Sequence, residues 1–140
     1  MKTTHTAPFT AGRQARQNGD LTTAIACFRQ ALRVQPDSIA AHNNLATALQ
    51  AAGDLDGALA AARQAMALDP QRAILHCNLG SLHWLNGEIE GAIAAYRHAI
   101  TLQPKLFLAH ANLAKARAAQ GDFTQAEAGS INRTVEGLER

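Results

Sequence analysis

Three short stretches of this chain carry the same polar pair at the same spacing. They are His42-Asn43-Asn44-Leu45, His76-Cys77-Asn78-Leu79 and His110-Ala111-Asn112-Leu113, each 34 residues after the one before. Such residue types could serve metal ligation, nucleophilic catalysis or amide recognition. A metal site needs donors at i, i+3 or i+4 of a helix, or across a tight turn. These histidines recur a whole repeat apart, and between His76 and His83 there is no acidic residue. No metal and no cofactor is therefore expected, and the histidines should pack between first helices with their ring nitrogens satisfied locally. Catalysis has no better footing. The chain lacks a Gly-rich phosphate loop and an HExxH, and no serine or cysteine is placed with a histidine as a nucleophile. Glu88 and Glu90 flank a turn and read as solvated charges. Amide recognition remains. Each asparagine offers two donors and an acceptor, which can match the N–H and C=O of an extended peptide whatever its sequence.

The elements that hold these residues follow from the same period. Gly19, Gly53, Gly87 and Gly121 fall 34 apart, as do Pro36, Pro70 and Pro104, and Ala24, Ala58, Ala92 and Ala126. A fixed period of this size means one supersecondary unit copied in tandem, each copy burying its apolar face against the next. The units are 5–38, 39–72, 73–106 and 107–140, making one domain from 5 to 140. In the second, Ala41, Leu45, Ala48, Leu49 and Ala52 recur at helical spacing. Gly53 suits a helix C-cap, Asp54 an N-cap for a second helix to about Leu68, and Pro70 the stop. The punctuation recurs as Gly19-Asp20, Gly87-Glu88 and Gly121-Asp122. Glu88 is a poor cap, so that start should fray, whereas Asp122 with Gln125 could form a capping box. Pro8 opens the first helix. Small residues (Gly12, Ala46, Gly80 and Ala114 on first helices; the Ala24 series with Ala31, Ala65 and Ala99 on second ones) let antiparallel helices approach closely. The expected fold is all-α: a solenoid of four tandem helix-turn-helix repeats. Three asparagines then sit mid-helix, where asparagine is an indifferent choice and needs a reason.

Composition narrows the function. Net charge is +2, and Lys and Arg are scattered singly, so no nucleic-acid stripe is present. Cys27 and Cys77 occupy different repeat positions, lack a CxxC spacing and read as free thiols. The first residues carry no apolar h-region, and no long apolar run follows. We expect no membrane association, a reduced cytoplasmic setting, and a monomer or weak homo-oligomer.

Four in-phase copies of Leu-(Gly/Ala), Gly-(Asp/Glu), Ala, then Ala and Pro resemble the tetratricopeptide repeat family along essentially the whole chain. Two departures stand out: Ala11 replaces a usual leucine, and Ser130 and Arg133 replace an apolar residue and an alanine. With Gly129 and Gly137, these residues predict a weak, polar terminal cap helix. The resemblance implies a right-handed superhelix and places Asn44, Asn78 and Asn112 on its concave groove. That arrangement is similar to the asparagine ladder of O-linked N-acetylglucosamine transferase and kinesin light chain. Asn43 and Thr47 adjoin Asn44, Trp84 falls one residue off the buried stripe, and Arg13, Arg16 and Lys115 would also line the groove. Acidic residues or a free carboxylate on the partner are then favoured. The carboxylate clamp of some relatives is not matched, because Phe9 and Arg13 stand in repeat 1 and Ile74 where a basic residue belongs.

The leading expectation is a non-catalytic adaptor holding a protein or peptide partner in extended conformation. Helices about 8–10 Å apart match about three residues of extended chain, so three asparagines would read roughly seven residues. Two alternatives remain: the substrate-recruiting region of a larger glycosyltransferase or sulfotransferase, and a self-associating scaffold subunit.

Overall fold

The glycine and proline punctuation becomes a series of capped helices. A computed structural model of the protein describes residues 6–138, with side chains described for 6–122. The helices are α1 (Thr6–Gln17), α2 (Leu21–Val34), α3 (Ile39–Ala51), α4 (Leu55–Leu68), α5 (Ala73–Leu85), α6 (Ile89–Leu102) and α7 (Phe107–Leu138). No strand occurs among the described residues. Within hairpins, α1 packs on α2, α3 on α4 and α5 on α6, and each pair stacks on the next through α2–α3, α4–α5 and α6–α7. The fold is the all-α repeat solenoid expected from the period.

Three turns are built alike. Gly19, Gly53 and Gly87 take φ of +79°, +86° and +78°, the left-handed conformation that glycine adopts without strain. After each glycine a backbone N–H reaches back to a helix carbonyl: Asp20 to Ala15 at 2.9 Å, Asp54 to Leu49 at 2.9 Å and Glu88 to His83 at 2.8 Å. These bonds satisfy carbonyls that the helix end would otherwise orphan. Asp20 Oδ1 then accepts from the Thr23 N–H at 3.2 Å, Asp54 Oδ1 from Gly57 at 2.9 Å, and Ser38 Oγ from Ala41 at 3.1 Å. Glu88 makes no such bond, and α6 begins at Ile89, in step with α2 and α4. Its carboxylate is exposed but held, with His83 Nδ1 donating to it at 3.0 Å and Asn86 Nδ2 donating to the other oxygen. Those bonds, Asn86 first, hold its pKa below the usual carboxylate value. Pro8 lies in the first turn of α1, which starts two residues earlier at Thr6.

The interior is alanine-lined, as the periodic small residues required. Ala24, Ala58 and Ala92, with Ala31, Ala65 and Ala99, are all fully buried. Large side chains enter where the first helix makes room: Phe28 packs on Gly12 and Tyr96 on Gly80.

The fourth repeat departs from expectation. α7 runs unbroken from Phe107 to Leu138, through Gly121 and Asp122, where a hairpin was expected. Gly121 has no positive φ, so it ends no helix and Asp122 caps none. Glycine accepts helical φ as readily as the left-handed turn. With Ser130 and Arg133 in place of core residues, folding back would bury little apolar area to offset the cost of ordering a turn. The side chains of Gln125, Ala126, Ser130 and Arg133, on which the capping box and polar cap were to rest, lie outside the described ones.

Candidate functional site: the face of the first helices

The odd-numbered helices lie side by side, α1 against α3 and α5 against α7. Side chains that recur on the period therefore form columns across them. One column is Asn44, Asn78 and Asn112; a second is Arg13, Thr47, Ser81 and Lys115; a third is Arg16, Gln50 and Trp84.

The asparagines are half-committed rather than free. Asn78 Nδ2 donates to Asn43 Oδ1 at 2.9 Å, and Asn112 Nδ2 donates to Cys77 Sγ at 3.9 Å. Both bonds span 35 residues and join α3 to α5 and α5 to α7. Asn44 stands the same step after Phe9, whose ring has no oxygen or sulfur acceptor. It donates to Ala40 O in its own helix at 2.8 Å instead. Two of the three amides thus tie repeat to repeat. Asn78 and Asn112 each keep an Oδ1 and a second N–H, and both are only half-buried. Thr47 Oγ1 is turned to Asn43 O at 3.0 Å.

Two adjoining clefts open along this face. A cleft of about 180 Å³ is lined by Asn43, Thr47, Gln50, Asn78 and Ser81 above Ala46 and Leu82. Another of about 170 Å³ is lined by Trp84, Leu85, Tyr96, Asn112 and Lys115. Gln50 and Ser81 belong to both and join them. Of the expected groove residues, Asn43, Thr47 and Asn78 line the first cleft, and Trp84, Asn112 and Lys115 the second. Asn44, Arg13 and Arg16 line neither of these. Arg13 is exposed, with its guanidinium 5.9 Å from the centroid of the Phe9 ring. Gln50 and Ser81 were missed, although a step of 34 back from Trp84 and from Lys115 reaches them.

Polar groups beneath the clefts are tied down. Ser81 Oγ donates to Cys77 O at 3.3 Å, and Tyr96 OH donates to Ser81 Oγ at 3.3 Å. Burial pushes the Tyr96 phenol above its usual pKa, the nearby Cys77 adding to this and the Ser81 bond opposing it. Burial likewise pushes the Cys77 thiol up, against the Asn112 bond. A buried thiol held protonated is a poor nucleophile and a poor metal ligand.

The histidines each satisfy a ring nitrogen locally, as expected. His42, His76 and His110 donate Nε2–H to the carbonyls of Pro36, Pro70 and Pro104 at 2.8, 2.7 and 2.8 Å. Each staples the inter-repeat loop to the first turn of the following helix, because a loop carbonyl there lacks a backbone donor. The His76 ring meets His98 of α6, centroids 4.0 Å apart, rather than packing between first helices. No helix among the described residues is long and apolar enough to cross a membrane.

A family model described as tetratricopeptide repeat matches residues 9–73, 43–107 and 77–136. No curated protein gives a significant sequence match. Among solved structures, the first TPR of Spaghetti (RPAP3), bound to the HSP90 peptide SRMEEVD, superposes with a TM-score of 0.79 at 20% identity. That match covers 84% of this chain and 93% of the other. The Sgt2 TPR domain from Aspergillus fumigatus gives 0.81 at 21% identity, covering 86% and 82%. An O-GlcNAc transferase of Thermobaculum terrenum gives 0.74 at 30% identity; 83% of this chain is covered, but only 23% of the transferase.

Proposed function

Since the chain belongs to the tetratricopeptide repeat family, we propose that it is a non-catalytic interaction module holding an extended peptide segment along α3, α5 and α7. The observation that carries this reading is the pair of joined clefts, in which Asn78 and Asn112 present unspent amide capacity one repeat apart. An extended chain presents backbone N–H and C=O groups at about 3.3 Å per residue, so amides one repeat apart meet it at about every third residue. A relative in the same fold, the first TPR of Spaghetti (RPAP3), is bound to a peptide. Each backbone bond is worth about 1 kcal/mol net and ordering the peptide costs several. Micromolar affinity, about −8 kcal/mol, therefore needs the side-chain clefts as well.

The test is an unbiased array of end-blocked nonapeptides. Peptides retained by the wild type are titrated against Asn78→Ala/Asn112→Ala. Affinity should fall roughly tenfold or more, by a similar factor for peptides of different sequence. Full affinity in a folded double variant would place recognition elsewhere. A second reading, the substrate-recruiting region of an enzyme, is favoured by the likeness to the Thermobaculum terrenum transferase. Transfer of this segment into that enzyme in place of its own matched region, with substrate turnover retained, would support it.

A further inference from the structure

Basic side chains occur on both layers of the array, with Arg29, Arg33, Arg63 and Arg97 on second helices, but acidic ones are absent from the first-helix layer. Helices α1, α3 and α5 contain no aspartate or glutamate, and neither does α7 before Asp122. The carboxylates of the described side chains lie instead at caps and loops (Asp20, Asp37, Asp54, Asp69, Glu88), in the first turns of α4 and α6 (Asp56, Glu90), and at Asp122. The first-helix layer carries Arg13, Arg16, Lys115 and Arg117, the first three in the columns that cross the groove face. Among the described residues the ion pairs are Arg72–Asp69 and His83–Glu88, so Lys115 has no carboxylate partner there.

Lys115 also sits in a shaped place. It lines the cleft together with the apolar Trp84, Leu85 and Tyr96 and the polar Gln50, Ser81 and Asn112. An apolar side chain inserted there would strip water from the ammonium and the amide without replacing its hydrogen bonds, which is costly. A basic side chain would meet like charge. A carboxylate on a short methylene stem fits both halves: the stem lies on the indole and leucine, and the oxygens accept from Lys115 Nζ, which leaves the Asn112 amide to the backbone.

We propose that this cleft is the specificity pocket of the groove, taking an aspartate or glutamate side chain from an extended acidic segment of a partner protein. Lys115 selects the charge, and the Asn78 and Asn112 amides hold the backbone that delivers it. The inference rests on the groove reading above and adds the class of partner to it.

Trp84, the sole tryptophan, reports directly on this cleft. The array of random nonapeptides, blocked at both ends so that no terminal carboxylate contributes, is probed with wild type, Lys115→Glu and Lys115→Gln. Lys115 is exposed, so both variants should match the wild-type helical spectrum. Wild type should retain peptides enriched in Asp and Glu, and a retained peptide should change Trp84 emission saturably. Replacing its Glu by Gln should weaken binding about fivefold to tenfold at low salt, in the range of a partly exposed charge-assisted hydrogen bond. Lys115→Gln should lose the enrichment and Lys115→Glu should retain basic peptides instead. If peptides are retained without acidic enrichment, or the variants retain the same set, the acidic pocket is overturned while the groove reading stands. If no peptide is retained at all, both fall. Should Lys115→Glu misfold, Lys115→Gln decides alone.

Discussion

Gly80 lies directly against the ring of Tyr96: a Cβ built on Gly80 would stand 2.6 Å from Cε1 and 2.8 Å from Cδ1. Gly12 holds the same relation to Phe28, at 2.7 and 2.9 Å. At the equivalent register of the second repeat stand Ala46 and Ala62, both buried. A missing methyl on the first helix thus accompanies an aromatic ring on the second. Since Tyr96 lines the Trp84–Lys115 cleft, this packing also positions the site.

Gly80→Ala should destabilise the fold by about 1 kcal/mol. Alanine's helix preference returns about 1 kcal/mol, but overpacking costs about 1–3 kcal/mol, and the buried ring has little room to retreat. The urea midpoint should fall at constant m-value. Adding Tyr96→Leu should recover part of the loss relative to Tyr96→Leu alone.

Gly121→Ala should do the opposite, adding about 0.5–1 kcal/mol. Gly121 is helical, and a Cβ there meets nothing within 4 Å. Had the fourth repeat turned at Gly121 as the other three do, the same substitution would force a left-handed alanine and lower the midpoint. The sign of the change therefore distinguishes the continuous α7 from a hairpin.

Ala58→Leu and Ala92→Leu should each cost about 1–3 kcal/mol through overpacking. Both alanines are fully buried. Leucine is nearly as good a helix former as alanine, so propensity cannot produce a loss of that size. Unchanged denaturation midpoints in both variants would contradict the packing described.

Stability should fall on the alkaline side, in two stages. Cys77 and Tyr96 have raised pKa values in the fold, burial being the main cause. Above the unfolded values, about 8.5 for a thiol and about 10 for a phenol, the unfolded chain releases protons that the folded one retains. The unfolded state then binds fewer protons, so stability is full below those values and declines as pH rises. Cys77→Ala should flatten the first stage and Tyr96→Phe the second in a series of denaturation curves.

The helices, their caps and the alanine spine were legible because they depend on local chemistry repeated in phase. Gly53-Asp54 reads as a turn, and it is one. Gly121-Asp122 carries the same local signal, yet the chain continues as helix, since a turn also needs a second helix worth burying. The Asn78–Asn43 and Asn112–Cys77 bonds were not legible for a related reason. Their partners lie one residue off the period, a step set by how neighbouring first helices stagger. The prolyl carbonyls bound by His42, His76 and His110 escaped notice because backbone acceptors leave no mark in a sequence. Gln50 and Ser81 could have been read by carrying the period through Trp84 and Lys115.

The most direct test of groove recognition is the side-chain amide spectrum of ¹⁵N-labelled protein, recorded with and without a nonapeptide retained by the array. The signals of Asn78 and Asn112 should move saturably with peptide, while that of Asn18, in the α1–α2 turn, stays in place. Perturbations confined to α2, α4 and α6, with the Asn78 and Asn112 amides unmoved at saturation, would contradict the account.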